Sequence, residues 1–195
     1  MLASDDYQAG LVRFIENHDE PRAASVVDPA REKALAIATL TQQGARLVHH
    51  GQAEGWKTRL PVFLGRFPFE PTNDDLAAFH RSLWSALSDP TFRHGRWRLC
   101  ERSGWEGDDR FMNLVAWCWE GESRWLVIVN LCDAVSAGTV RAPWTDLHGR
   151  RCRLVDDTNQ VAYDRDGAAL CDGLFVELGP WGWHLFRIDS VQEDS

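Results

Sequence analysis

The sequence contains no long uninterrupted apolar run, no CxxC pair and no HExxH motif. Without an apolar run there is no candidate membrane-spanning helix, and the acidic, polar first residues, MLASDDYQAG, predict no secretory signal. The five cysteines are an odd number at scattered positions, which is typical of reduced thiols and not of a disulfide framework or a zinc site. We therefore expect a cytoplasmic protein that has no membrane partner.

Basic residues are also in the minority. The 21 Lys and Arg residues against 29 Asp and Glu residues give a net charge of -8, and the basic positions form no stripe. This balance argues against nucleic acid as a partner. A chain of 195 residues with 44% hydrophobic residues can bury a sizeable core in one or two domains.

One apolar run ends directly in a cluster of polar side chains. Residues 11–15, LVRFI, have the large and β-branched side chains of a buried strand, and residues 16–20, ENHDE, follow at once. Pro21 then prevents a simple continuation. Because the carboxyl ends of strands in α/β proteins carry the loops that hold functional groups, His18 and Asp19 are the first candidate site residues.

The next segments alternate between helix and strand. Asp28-Pro29 is typical of a helix start, the apolar positions of residues 34–40 have helical spacing, and Gly44 is expected to end that helix. Residues 45–49, ARLVH, predict a second short strand, and a further helix is expected from Asn73 to Ser88. This order implies parallel strands joined by a right-handed crossover.

From about residue 91 onward, short strands follow one another without helices. The predicted strands cover residues 96–102, 111–120, 123–132, 138–142, 150–155, 174–178 and 183–188, with Glu120-Gly121-Glu122 as a hairpin connection. Several strands at such spacing indicate an antiparallel β-sandwich. The predicted fold class is thus α/β followed by all-β.

The segment FIENHD, residues 14–19, resembles the fourth conserved region of the α-amylase superfamily, glycoside hydrolase family 13. There an Asn-His-Asp triplet ends the seventh strand of a (β/α)8 barrel. The resemblance implies that Asp19 is the transition-state stabiliser and that His18 and Asn17 contact the substrate. It also implies that residues 1–90 form the last two βα units of the TIM barrel and residues 91–195 the C-terminal antiparallel β-sandwich domain, in which Val129-Asn130-Leu131 matches a common hairpin ending.

The second strand matches the family only in part. Gly44, Gly51 and Gly55 keep the family's glycine spacing, but His49-His50 replace two aromatic residues and Ala53 stands where a glutamate is expected. In the family this loop makes substrate contacts. We expect them from the two polar residues that flank Ala53 and from the aromatic residue that follows, namely Gln52, Glu54 and Trp56.

The resemblance implies a retaining enzyme that acts on α-glucosidic bonds in an α-glucan or maltooligosaccharide, with no cofactor. Such an enzyme needs a nucleophilic carboxylate and a general acid roughly 5 Å apart. In the family both come from earlier barrel strands, and no residue here matches them. We therefore expect the chain alone to be inactive unless a protein segment supplies the missing strands. The alternative is a non-catalytic remnant that binds glucan or another subunit.

Other interpretations of the same residues stay open. Residues 17–19 could be a capped loop at a strand end, and Glu16 and Glu20 are expected to be solvated or paired with Arg22. A metal site from His18, Asp19 and the His49-His50 pair is disfavoured, because adjacent histidines on a strand point to opposite faces. Tryptophans on the predicted strands are expected to pack, whereas residues 181–183, WGW, could form a sugar platform. These packing tryptophans are Trp117, Trp119 and Trp125.

Overall fold

The computed structural model describes residues 4–61, 63, 65–66 and 68–191. The chain forms two compact units, Met1–Ser85 and Ala86–Ser195. The elements that begin in the first unit are α1 (Asp5–Ala9), β1 (Val12–Arg13), α2 (Ala23–Val26), α3 (Pro29–Leu40), β2 (Ala45–Arg46) and α4 (Asp74–Leu87).

The strands β1 and β2 pair in parallel, with Val12 opposite Ala45 and Arg13 opposite Arg46. This confirms the predicted strand, helix, strand unit. Both strands are shorter than expected, however, and the side chains of Val12 and Phe14 are 52% and 40% exposed. The predicted burial of this strand is wrong because, within the described residues, the sheet has only these two strands and no layer covers that face.

The helix boundaries follow the predicted caps. The Asp28 side chain accepts the backbone N–H groups of Ala30 and Arg31, each at 3.0 Å, so α3 begins at Pro29. It ends at Leu40, before the expected Gly44. The Asn73 side chain likewise accepts the N–H of Leu76 at 3.1 Å and caps α4. The buried faces of the two helices carry Ala34, Ile37, Leu40, Leu76, Phe79 and Leu83.

Gly44 has a structural role between α3 and β2. Its φ of 103° lies in the region that favours glycine, and a Cβ there would lie 2.3 Å from the carbonyl oxygen of Leu11. The close approach brings β2 beside β1, because the N–H of Ala45 donates to that same Leu11 oxygen at 2.9 Å.

The second unit is an antiparallel sandwich. Its strands are β3 (Arg96–Leu99), β4 (Glu101–Ser103), β5 (Leu114–Glu120), β6 (Arg124–Asn130), β7 (Ser136–Arg141), β8 (Arg151–Asp156), β9 (Val161–Asp166), β10 (Leu174–Leu178) and β11 (Trp183–Val191). Helices α5 (Thr91–His94) and α6 (Gly167–Asp172) and two 3-10 turns complete it. One sheet has the order β3-β5-β6-β11-β8-β9 and the other β10-β7-β4.

The sandwich core confirms most of the predicted strands. β5 and β6 pair from Leu114–Asn130 to Glu120–Arg124 across the expected hairpin, and both are buried on nearly every residue. Trp117, Trp119 and Trp125 are 2%, 4% and 4% exposed, so their packing role is confirmed. β9 was not predicted, because VAYDRD at a sheet edge is exposed and has little apolar alternation.

Candidate functional site

The loop after β1 is held by its own asparagine. The Asn17 Oδ1 accepts the backbone N–H of Asp19 at 2.7 Å and that of Glu20 at 3.0 Å. This is the side-chain turn that asparagine favours at strand ends. The structure thus places Asn17 as the residue that shapes the loop, as the capped-loop interpretation expects.

His18 and Asp19 lie side by side on this loop. The His18 Nε2 is 3.3 Å from the Asp19 Oδ2, and the two side chains are 73% and 72% exposed. A pair with this exposure contributes little to stability, because water competes for both groups. Both side chains are therefore accessible to a ligand.

The base of the loop is a buried ion pair. The Arg22 Nη2 lies 2.9 Å from the Glu16 Oε1, and the N–H of Ala23 donates to the Glu16 Oε2 at 2.6 Å. Glu16 and Arg22 are 1% and 2% exposed. Burial raises the pKa of Glu16 although Ala23 and Arg22 act to lower it. The structure thus confirms that Glu16 pairs with Arg22 and shows Glu20 to be exposed.

Arg22 also joins the segments that follow the two parallel strands. Its Nη1 donates to the backbone carbonyl of His50 at 2.9 Å and lies 3.2 Å from the His49 Nδ1. A guanidinium can only donate, so the His49 ring accepts there. Burial, followed by the charge of Arg22, holds the pKa of His49 below its usual range, which favours the neutral ring this contact needs.

The loop after β2 turns two of its predicted site residues inward. Gln52 is 1% exposed, and its Oε1 accepts the N–H of His49 at 3.4 Å. The Trp56 ring packs against Gly51 and meets the His50 ring edge to face, with ring centroids 5.0 Å apart. Gly51 has a φ of 86°, and a Cβ there would lie 2.3 Å from the indole.

A groove of about 360 Å³ lies beside the loop that follows β2. Of the six predicted site residues only Glu54 lines it, together with Val48, His49, His50, Gly51, Ala53 and Trp84. The structure therefore brings His18 and Asp19 together on one loop. It does not bring them into the groove with Glu54.

The site contains residues that the sequence analysis left out. Glu32, on α3, is 1% exposed, and burial together with the nearby Glu16 charge raises its pKa to about 7. Trp84, on α4, was not proposed as a site residue but lines the groove. Glu32 lies four residues before the buried Ala36 on the same helix face, but a glutamate in the first turn normally faces water, so the sequence gives no clear signal for its burial.

Metal-binding and membrane-spanning features are absent from the described part of the chain. No group of three or more His, Cys, Asp or Glu side chains in residues 4–61, 63, 65–66 and 68–191 has a geometry that could hold a metal ion. Over the same residues no helix combines the length and apolarity needed to cross a bilayer.

In the described residues, two parallel strands with their helices precede an antiparallel sandwich. No protein-family model and no curated protein matches the sequence. Among solved structures, the chain is similar to a noncanonic maltogenic α-amylase from Thermotoga neapolitana, with a TM-score of 0.71 and 18% identity over 93% of this chain and 41% of that one.

Two further structures give the same result. An Anoxybacillus α-amylase has a TM-score of 0.70 and 13% identity over 95% of this chain and 39% of its own. The α-amylase of Geobacillus thermoleovorans, solved with acarbose, has a TM-score of 0.69 and 12% identity over 96% and 40%. The chain therefore spans about two fifths of the length of these proteins. The resemblance to the α-amylase superfamily is confirmed at the level of the fold.

Proposed function

We propose that this chain is a C-terminal portion of a family 13 glycoside hydrolase or transglycosylase that acts on α-glucosidic bonds by a retaining mechanism. One observation carries the proposal. The carboxylate of Asp19 faces solvent beside His18, on a loop that directly follows β1, in a chain that has the α-amylase fold. This is the strand end at which the resemblance expects a substrate-binding carboxylate.

In this role Asp19 stabilises the transition state. Its oxygens accept hydrogen bonds from sugar hydroxyls that strengthen as the ring flattens, and bonds that are stronger in the transition state raise the rate. His18 contacts the same ring. The Asn17 turn and the buried Glu16–Arg22 pair fix the backbone from which both side chains project.

The proposed enzyme also needs catalytic residues that this chain does not supply. The nucleophile and the general acid must flank the scissile bond, and no residue of this chain matches the family's positions for them. A protein segment with the earlier barrel strands would supply both and would cover the exposed apolar residues Val12, Phe14 and Leu47. We place the complete enzyme in the cytoplasm, with an α-glucan or maltooligosaccharide as substrate.

Complementation tests this proposal. The chain alone should not hydrolyse an aryl α-glucoside, whereas co-expression with the barrel portion of an α-amylase that contains the nucleophile and acid should produce turnover. Asp19→Asn should then lower kcat by about 10²- to 10³-fold, and the matched change Glu20→Gln should leave it unchanged. Turnover by the chain alone, or equal effects of the two variants, would contradict the proposal.

A second candidate is a non-catalytic glucan-binding or subunit-binding module. It is favoured because no residue of this sequence matches the nucleophile or the general acid, and a retaining glycosidase needs both for turnover. In that case complementation yields no turnover, although the chain still binds maltooligosaccharides or another subunit.

A further inference from the structure

A cleft of about 200 Å³ opens in the second unit between the free edges of its two sheets. β9 is the last strand of the six-stranded sheet and β10 is the last strand of the three-stranded sheet. The floor consists of buried apolar side chains of both sheets, namely Leu154, Leu174, Val176 and Phe186. The cleft therefore reaches the sandwich core, and among the described residues no further strand pairs with either edge.

Aromatic rings form one wall and continue outside the cleft. Tyr163 meets His184 and Phe186 edge to face, with ring centroids 6.1 and 5.9 Å apart. At the mouth, Phe175 is 58% exposed and lies 5.8 Å from the ring of Trp105, which is 50% exposed. Large exposed aromatic side chains beside a cleft mark binding surfaces, because leaving them in water is unfavourable.

The aromatic wall has a fixed shape. His184 stacks on Phe186 with ring centroids 4.3 Å apart, and its Nδ1 lies 3.3 Å from the Asp156 Oδ2. Asp156 is fully buried and also accepts from Thr158 and from the N–H of Leu185. Although burial acts to raise it, these hydrogen bonds hold the pKa of Asp156 below its usual value. A ligand therefore meets a preorganised wall.

The charges at the rim are balanced. Arg165 on β9, whose guanidinium carbon lies 5.2 Å from the centroid of the Tyr163 ring, and Glu177 on β10 give the lining one cation and one anion. Tyr163 and His184 add a hydroxyl group and a ring nitrogen. An apolar surface bordered by one cation and one anion suits a neutral ligand that has apolar faces and many hydroxyl groups.

We propose that this cleft, the sandwich cleft, is a second carbohydrate-binding site that takes one sugar unit of a neutral α-linked oligosaccharide. Tyr163 packs against the unit in the cleft, and the following units lie on Phe175 and Trp105. Arg165 and Glu177 hydrogen-bond to the hydroxyl groups. The choice of an α-linked glucan rests on the proposed function, whereas the site itself lies in the second unit and uses none of the residues of the β1 loop.

A peptide strand is the competing occupant of an open sheet edge. The sequence of β9 argues against a peptide. This strand ends in Asp164, Arg165 and Asp166, and charged side chains on an edge strand disfavour the addition of another strand. β10 is only five residues long and leaves little backbone to pair. The observations therefore favour the sugar.

Maltoheptaose titrated into the full chain, followed by calorimetry and tryptophan fluorescence, tests the sandwich cleft. Phe175→Ser and Tyr163→Ala should each weaken binding by about fivefold or more, because each removes a stacking surface. Phe69→Ser is the matched control, because it removes a phenylalanine that is 94% exposed in the first unit. Phe175 is on the surface, so its variant tests the site even if Tyr163→Ala does not fold.

The outcomes separate this site from the proposed enzyme site. Binding that weakens with Phe175→Ser and stays unchanged with Phe69→Ser supports the sandwich cleft. Loss with Asp19→Asn alone overturns it and leaves the proposed function intact. Failed complementation with unchanged maltoheptaose binding refutes the proposed function instead. No binding at millimolar sugar, or a cleft that binds only peptides, overturns the sandwich cleft.

Discussion

The buried carboxyl of Glu32 should make the chain less stable as the pH rises. Its pKa is about 7 in the folded state, against an ordinary value of 4.5, because burial and then the Glu16 charge penalise ionisation. Between these two pH values the unfolded chain loses the proton and the folded chain keeps it. The stabilisation is complete below pH 4.5 and is lost as the pH rises through 7.

The size of the effect follows from the two values. The shift of the pKa from 4.5 to about 7 lowers the free energy of unfolding by about 3 kcal/mol at pH values above 7. Glu32→Gln keeps the shape of the side chain and removes the titration. The variant should match the wild-type chain at low pH and be more stable by up to about 3 kcal/mol at pH 8.5.

Hydrogen exchange of the amides of α3 measures this locally, because it reports opening of the first unit and not of the tryptophan-rich sandwich. Exchange at low pH and at pH 8.5, after correction for the intrinsic rates, gives the two free energies. Glu20→Gln, an exposed glutamate of the β1 loop, should leave the pH dependence unchanged. A stability difference between Glu32→Gln and the wild-type chain that does not grow from low pH to pH 8.5 would refute the reasoning.

Three further predictions concern buried polar and glycine positions. Burial, followed by the charge of Lys33, lowers the pKa of His80 to about 4, so protonation of this ring should remove about 3 kcal/mol of stability as the pH drops from 6.5 to 4. This contribution is opposite in sign to that of Glu32, and the stability difference between His80→Phe and the wild-type chain in urea unfolding should show it. Asn130→Leu should cost about 2 to 4 kcal/mol in the same assay, because the fully buried amide donates to three carbonyl groups that would lose their donor. Gly51→Ala should displace the Trp56 ring and destabilise the first unit by about 1 to 3 kcal/mol, measured by exchange in α4.

Each of these predictions has a matched control. His94→Phe changes an exposed histidine and should keep the wild-type slope with pH, so the same pH-dependent difference there would argue against burial as the cause. Asn159→Leu removes a solvent-exposed amide and should cost less than Asn130→Leu. Gly65→Ala adds a methyl group with no atom within 4 Å, and an effect equal to that of Gly51→Ala would contradict the clash.

The sequence predicted the sandwich well because its strands carry their own signals. The apolar runs of β5 and β6 and the short hairpin between them leave few alternatives for pairing. The edge strand β9 was missed because an exposed strand needs no apolar pattern. In the first unit the caps at Asp28 and Asn73 were predicted correctly because each acts within three or four residues.

The candidate site could be predicted only in part. The sequence identified His18 and Asp19 as neighbours, since one short loop carries both. It could not predict that Gln52 turns inward or that Trp56 packs on Gly51, because these positions depend on the left-handed backbone at Gly51. The burial of Glu32 was equally hidden, because a glutamate in the first turn of a helix normally faces water.

The Asn17 turn has a consequence for affinity at this loop. Its side chain pins two successive amides, so the chain has already given up much of its freedom there during folding. Ordering a residue costs about 1 to 2 kcal/mol, and a ligand that reaches His18 and Asp19 does not bear that cost again. Each contact that a small sugar makes with His18 and Asp19 can therefore contribute to its binding free energy without this ordering cost.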